Sequence, residues 1–147
     1  RKIASEIVKK RKIKLIGTTE SLCEIIVDVK KNTFFKNKKH PATKTLQGIR
    51  IFINDELGEL ESFLENSLEL LNPKGRLCII SFHSLEDRIV KRFFRDQSRI
   101  DPNLSRLPNV QDTSSLKVIA KKIKPMASEI RLNPRSRSAV LRVAERT

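Results

Sequence analysis

The chain has 147 residues, of which 38% are hydrophobic and 33% charged, a composition that predicts a folded core and argues against intrinsic disorder. Its formal net charge of +14 favours a polyanionic partner, usually nucleic acid. It contains no run of about 18 apolar residues and no signal-peptide pattern, so we expect no membrane span and a cytoplasmic location.

The charge is divided unevenly along the chain. Residues 1–44 carry a net charge of +9, residues 45–87 carry −5 and residues 88–147 carry +10. Two basic flanks around an acidic middle favour a basic groove or face over a basic tail. The only cysteines, Cys23 and Cys78, lie in apolar patterns, which predicts buried reduced thiols rather than a metal site.

Two helices are predicted in the first part of the chain. Residues 2–16 combine an apolar stripe with lysines on the other side, and Gly17 is expected to end that helix. Thr18-Thr19 offers a cap for a second helix that runs to about Val29.

A basic loop is predicted at residues 30–44. It contains six lysines, among them Lys38 and Lys39, and it contains Phe34-Phe35. Lysines interleaved with aromatic rings can hold single-stranded RNA through phosphate contacts and base stacking. The alternative is that both rings fill a small helical core, and the residues do not decide between the two.

The remainder of the chain predicts an α/β fold. Leucines and isoleucines at steps of three and four predict one long helix from about Thr43 to Leu71, which Gly58 could bend. The other predicted elements are a turn at 72–75, strands at 77–82, 116–121 and 139–144, and a helix at 84–95. The first strand is almost continuously apolar, as in a parallel strand covered on both faces, and the last two strands could pair as an antiparallel edge. We therefore expect an α/β fold with a partly parallel sheet.

A dense polar cluster follows the first strand, where ligands bind in open α/β sheets. The candidate site residues there are Ser81, His83, Ser84, Glu86 and Asp87. One interpretation is purely structural, with Ser84 as the N-cap of the next helix and the two acids in its first turn. The other is substrate contact, and the two interpretations are compatible.

No cofactor or nucleophile motif is present in the chain. There is no G-x-S-x-G, no G-x-G-x-x-G, no P-loop and no HExxH. We therefore expect no metal, and no cofactor-binding residue within this sequence.

Three stretches carry a family resemblance: HPATKTLQGIRIFINDELGELESFL (40–64), RLCIISFHSLEDRIVKRFF (76–94) and NPRSRSAVLRVAER (133–146). Together they closely resemble the MraW/RsmH family of S-adenosylmethionine-dependent methyltransferases, which modify a cytidine N4 in bacterial 16S rRNA. The resemblance covers nearly all of the chain in the family's order.

The resemblance implies the carboxy-terminal half of a class I, Rossmann-like methyltransferase. Residues 1–44 would be the remainder of an inserted helical, substrate-recognition domain, and residues 45–147 the last part of the methyltransferase domain. The S-adenosyl-L-methionine site would lie upstream of Arg1, so we expect this chain alone to be inactive.

The implied partner is 16S rRNA in the small ribosomal subunit, with the oligomeric state open and a homodimer as one option. Candidate RNA-binding residues are Lys38, Lys39, Arg88, Arg135 and Arg137. Arg135 and Arg137 could form a phosphate clamp or a solvated turn. The alternative function is a non-catalytic basic RNA-binding module or a decayed fragment.

Overall fold

The computed structural model describes residues 1–34, 40–99 and 114–147. They form two compact units, Arg1–Asn54 and Asp55–Thr147. The assignment of residues 1–44 to an inserted domain stays a prediction. None of the helices in these ranges is long and apolar enough to cross a membrane.

The first unit is helical. Its helices are α1 (Lys2–Ile13), α2 (Thr19–Phe34) and α3 (Thr43–Ile53). The first helix packs against the second, and Ile25 and Ile26 of α2 are buried. The predicted cap is confirmed, because the Ser21 N–H donates to Thr18 Oγ1 at 3.2 Å.

Two predicted boundaries in the first unit were wrong. The first helix ends at Ile13, where Lys14 becomes extended, before Gly17 is reached. The second helix continues to Phe34, so residues 30–34 of the predicted basic loop are helical. Lys38 and Lys39 lie outside the described residues.

The predicted long helix from Thr43 to Leu71 is two helices. The chain leaves helical geometry after Ile53, and Asp55 adopts a left-handed backbone with φ of 47°. A new helix, α4, begins at Glu56. Leucine spacing does not report such a break, because the apolar stripe continues across it. Gly58 lies inside α4 and does not mark the interruption.

The second unit contains the sheet. Its elements in chain order are α4 (Glu56–Leu70), β1 (Arg76–Ser81), α5 (Ser84–Gln97), β2 (Leu116–Ile123), α6 (Ala127–Leu132), a 3-10 helix (Pro134–Ser138) and β3 (Val140–Arg146). These bounds agree with the predicted strands and with the predicted helix at 84–95 to within about two residues. The α/β class is confirmed.

The strand order is β1-β3-β2, and both pairings are antiparallel. The predicted antiparallel pairing of the last two strands is confirmed. The prediction of a partly parallel sheet was wrong for the described strands, because β3 lies between β1 and β2. Those two strands run in the same direction but do not pair.

One face of the sheet carries the core. Helices α4 and α5 pack there, around a buried cluster that consists of Leu64, Leu77, Val90, Phe94, Leu116 and Ala144. The opposite face of β1 is open: Ile80 is 58% exposed, and Cys78 is exposed as well. The predictions that β1 is covered on both faces and that Cys78 is buried were therefore wrong, while Cys23 is half-buried.

The turn before β1 depends on a glycine. The Gly75 N–H donates to the carbonyl of Asn72 at 2.8 Å, and a Cβ on Gly75 would lie 2.7 Å from that same oxygen. Lys74 has a left-handed φ of 64°, and its N–H donates to the carbonyl of Arg146 at 2.9 Å. The turn thus joins the start of β1 to the end of β3.

Candidate functional site

Three segments meet at one end of the sheet. Ser81, the last residue of β1, is opposite Val140, the first residue of β3. Ile123, the last residue of β2, is opposite Leu141. The polar cluster after β1 and the 3-10 helix before β3 therefore lie at the same end of the sheet.

The start of α5 is closed by a capping box that His83 forms with Glu86. His83 has extended backbone geometry, and its Nδ1 accepts the Glu86 N–H at 3.4 Å. Glu86 Oε2 accepts the N–H groups of Phe82 at 2.9 Å and of His83 at 3.2 Å. The prediction that Ser84 is the N-cap was wrong, because Ser84 is already the first helical residue.

The other imidazole nitrogen of His83 points inward. Its Nε2 has no accessible surface and no hydrogen-bond partner among the described residues. It lies 3.1 Å from Glu86 Oε1 without forming a hydrogen bond to it. Because Nδ1 accepts a hydrogen bond, the neutral ring carries its proton on Nε2.

That tautomer decides how the nearby carboxylates are interpreted. Ligand atoms of Glu56, His83 and Glu86 lie within 4.8 Å of one another, a spacing that would suit a metal ion. A protonated Nε2 cannot be a metal ligand, and moving the proton to Nδ1 would break the cap. We therefore assign no metal to this cluster.

Asp87 is held by an arginine of β3. Arg142 donates from Nε to Asp87 Oδ1 at 2.8 Å and from a terminal nitrogen to Oδ2 at 3.0 Å, while its other terminal nitrogen donates to the carbonyl of Lys121 in β2. The hydrogen bonds from Arg142 lower the pKa of Asp87. Burial opposes this effect, and the positive charges of Arg142, Lys122 and Lys91 add to the lowering. The Arg142 side chain is only 9% exposed.

The remaining candidates differ in accessibility. Ser81 is buried under α5, whereas Ser84 and Arg88 are exposed. Arg135 and Arg137 are exposed in the 3-10 helix, whose start is capped by the Asn133 side chain. The structure therefore brings the cluster and this arginine turn to one end of the sheet. The carboxylates of Glu86 and Asp87 are already engaged there, whereas Ser84 and the two arginines are open to solvent.

Sequence reasoning missed Arg142. Its signal was present, because Arg142 alternates with Ala144 and so points to the buried face of β3. A charge on a buried strand face needs a partner. The sequence did not show which acid this partner was, because Asp87 lies 55 residues before Arg142.

Comparison with known proteins decides the family. The model of the MraW methylase family matches residues 1–147. The chain belongs to the MraW methylase family. This confirms the resemblance that the three sequence stretches indicated.

Curated relatives agree with the family. The chain is 48% identical, over 99% of its length, to the ribosomal RNA small subunit methyltransferase H of Nitrosococcus oceani, and 49% identical over 98% to that of Nitrosomonas eutropha. It is 46% identical to that of Legionella pneumophila strain Corby. It spans about half the length of these relatives, 47–48%.

A methylase of this family requires a methyl donor, and the present residues do not fit one. The connection from β1 to α5 contains Phe82 and His83 and no glycine. The glycines of the chain are Gly17, Gly48, Gly58 and Gly75, and none of them follows a strand in the described residues. We therefore derive no step through the donor from this chain.

Proposed function

We propose that, within the full-length protein, this chain forms the rRNA-facing part of an S-adenosylmethionine-dependent methyltransferase that acts on a cytidine N4 of small-subunit rRNA. The observation that carries the proposal is the family match over all 147 residues. The names of the relatives and the net charge of +14 support rRNA as the substrate.

Methyl transfer to a cytosine amine depends mainly on how the protein positions the base relative to the methyl donor. The exocyclic amine of cytosine is a weak nucleophile, because its lone pair is delocalised into the ring. When bound, the donor supplies an electrophilic methyl group. The protein must take the base out of its stack, hold the amine in line and leave a route for its proton.

We propose that Glu86 and Asp87 stabilise the structure of the site and do not contact the substrate. Glu86 already accepts two backbone N–H groups, and Asp87 already accepts two bonds from Arg142. The buried Nε2 of His83 cannot reach a substrate. We therefore place the proton acceptor outside the described residues and assign substrate contact to the exposed Ser84 and Arg88.

The alternative function is a non-catalytic RNA-binding module. The observation that favours it is that none of the described strands is followed by a glycine-containing loop and a helix. Both functions require RNA binding, so only the chemical product separates them.

The test is the modification state of 16S rRNA in cells. The gene is deleted, rRNA is digested to nucleosides, and N4-methylcytidine is measured by mass spectrometry with and without complementation. Loss of the nucleoside on deletion and its return on complementation would support the proposal. An unchanged nucleoside profile after deletion would refute it and favour the binding module.

A further inference from the structure

Helix α5 presents a basic stripe to solvent. Four cations follow the spacing i, i+3, i+4 and i+7, which places them on one face: Arg88, Lys91, Arg92 and Arg95, all exposed. The stripe is about 10 Å long at 1.5 Å per residue. Val90 and Phe94, on the opposite face, are buried in the core.

Most of this stripe is not neutralised. Arg95 is engaged by its neighbour, since its Nε lies 2.8 Å from Asp96 Oδ1. In the part of the chain that the structure describes, Arg88, Lys91 and Arg92 form no ion pair with a carboxylate. These three cations are therefore not fixed by a direct ion pair, although Lys91 lies within electrostatic reach of Asp87 and Arg92 within that of Asp96.

The edge strand β2 adds one lysine beside α5. Lys122 is exposed at the carboxyl end of β2, and α5 packs against this strand. The charges of Lys122 and Lys91 both act on Asp87, so the two ammonium groups lie within electrostatic reach of one carboxylate. This places cations from two elements in one region.

Arg142 fixes these elements relative to each other. It holds Asp87 in the first turn of α5 and the backbone carbonyl of Lys121 in β2. The cations are therefore presented from a rigid support, which reduces the ordering cost of binding.

We propose that an α5–β2 basic surface, formed by Arg88, Lys91, Arg92 and Lys122, binds the phosphate backbone of the rRNA substrate. The inference rests on the proposed function and adds residues to it. The surface lies beside the capping box at the end of β1, where the substrate base is expected to enter.

RNA fits this surface better than an anionic membrane does. A membrane-binding basic helix inserts its apolar face into the lipid. The apolar face of α5 is already buried in the core through Val90 and Phe94. A solvated backbone of phosphates requires only exposed cations.

The test compares two matched double variants of the full-length protein. Lys91→Gln/Lys122→Gln removes two charges from the surface. Lys74→Gln/Lys117→Gln removes two exposed charges near the other end of the sheet, where Lys117 is opposite Glu145. Binding of labelled 16S rRNA is measured across a salt series.

If each surface lysine contacts one phosphate, the slope of log affinity against log salt falls by roughly 1.4 to 1.8 and affinity at 0.1 M salt falls roughly 30-fold. The control variant should change affinity less than about twofold. An unchanged slope in the surface variant, or an equal loss in the control, would overturn the proposal. So would loss of binding to phosphatidylserine vesicles with RNA binding intact.

This outcome is separable from the proposed function. Wild-type protein that binds rRNA through the surface but forms no N4-methylcytidine would leave the surface supported and the methyltransferase assignment refuted. If wild-type protein forms N4-methylcytidine but the surface variant binds rRNA with unchanged affinity and salt dependence, the methyltransferase assignment is supported and the surface proposal is refuted.

Discussion

Removing Arg142 should destabilise the second unit more than removing any exposed arginine of its sheet. We consider Arg142→Met, which keeps the apolar stem but deletes the guanidinium. Asp87 then loses two charge-assisted hydrogen bonds, at 2.8 and 3.0 Å, and the carbonyl of Lys121 loses its side-chain donor.

The magnitude follows from burial. Breaking a fully buried ion pair costs about 3–5 kcal/mol. The Asp87 side chain is 23% exposed, and water reaches part of the carboxylate that is left behind. We therefore expect a cost of about 2–3 kcal/mol.

The assay is hydrogen exchange of β3 amides in the full-length protein, which reports local opening free energy. Protection of these amides should fall about 30- to 140-fold, at about 1.4 kcal/mol per tenfold. The control is Arg76→Met, which removes an arginine from the cross-strand pair with Glu145. Because the Arg76 side chain is 63% exposed, the control should cost only about 0.2–1 kcal/mol.

A double variant tests the cause. Arg142→Met/Asp87→Leu removes both charges and should recover most of the protection, because an apolar replacement of a buried pair is often close to neutral. Equal losses in Arg142→Met and Arg76→Met, or no recovery in the double variant, would refute the buried-pair account.

Three further predictions concern the cap, the turn and acid stability. His83→Ala should lower the opening free energy of the first turn of α5 by about 1 kcal/mol, measured as faster hydrogen exchange of its amides. His83→Ser should retain most of the cap, and equal exchange rates in the two variants would contradict the capping role. Gly75→Ala should lower the melting temperature, since its Cβ would meet the Asn72 carbonyl at 2.7 Å, while Lys74→Gly should not; a neutral Gly75→Ala would contradict the close approach. Because the pKa of Asp87 is lowered in the folded state, its ionised form stabilises the fold at pH values above the ordinary aspartate pKa of about 3.9, and this stability is lost as the pH falls through the lower folded pKa. Asp87→Asn should therefore make unfolding free energy less dependent on pH in this acid range. An acid unfolding transition identical to that of the wild type would show that Asp87 does not contribute.

Local signals predicted the elements well. The apolar strands, the Thr18 cap and the helix after β1 follow from short patterns, and each was found close to its predicted bounds. Strand pairing did not follow, because the order β1-β3-β2 depends on contacts between distant residues. An apolar run such as 77–82 indicates burial without saying whether its neighbours are parallel.

The sequence predicted the position of the candidate site correctly, but not which residues form its contacts. The cluster does lie at the end of β1, but the residue that caps α5 is His83 and not Ser84. Serine is a more common N-cap than histidine, so the sequence favoured Ser84. Which of the two residues caps the helix depends on where helical backbone geometry begins, and the local sequence does not determine that position to within one residue. Asp87 could not be assigned to Arg142, because 55 residues separate them in the chain.

The most direct test is a reaction with purified components. Full-length protein, S-adenosylmethionine with a labelled methyl group and small ribosomal subunits lacking the modification are incubated, and the rRNA is digested for nucleoside analysis. We predict that the label appears in N4-methylcytidine. Label in another nucleoside, or no label in rRNA under conditions where the protein binds the subunit, would contradict the proposed function.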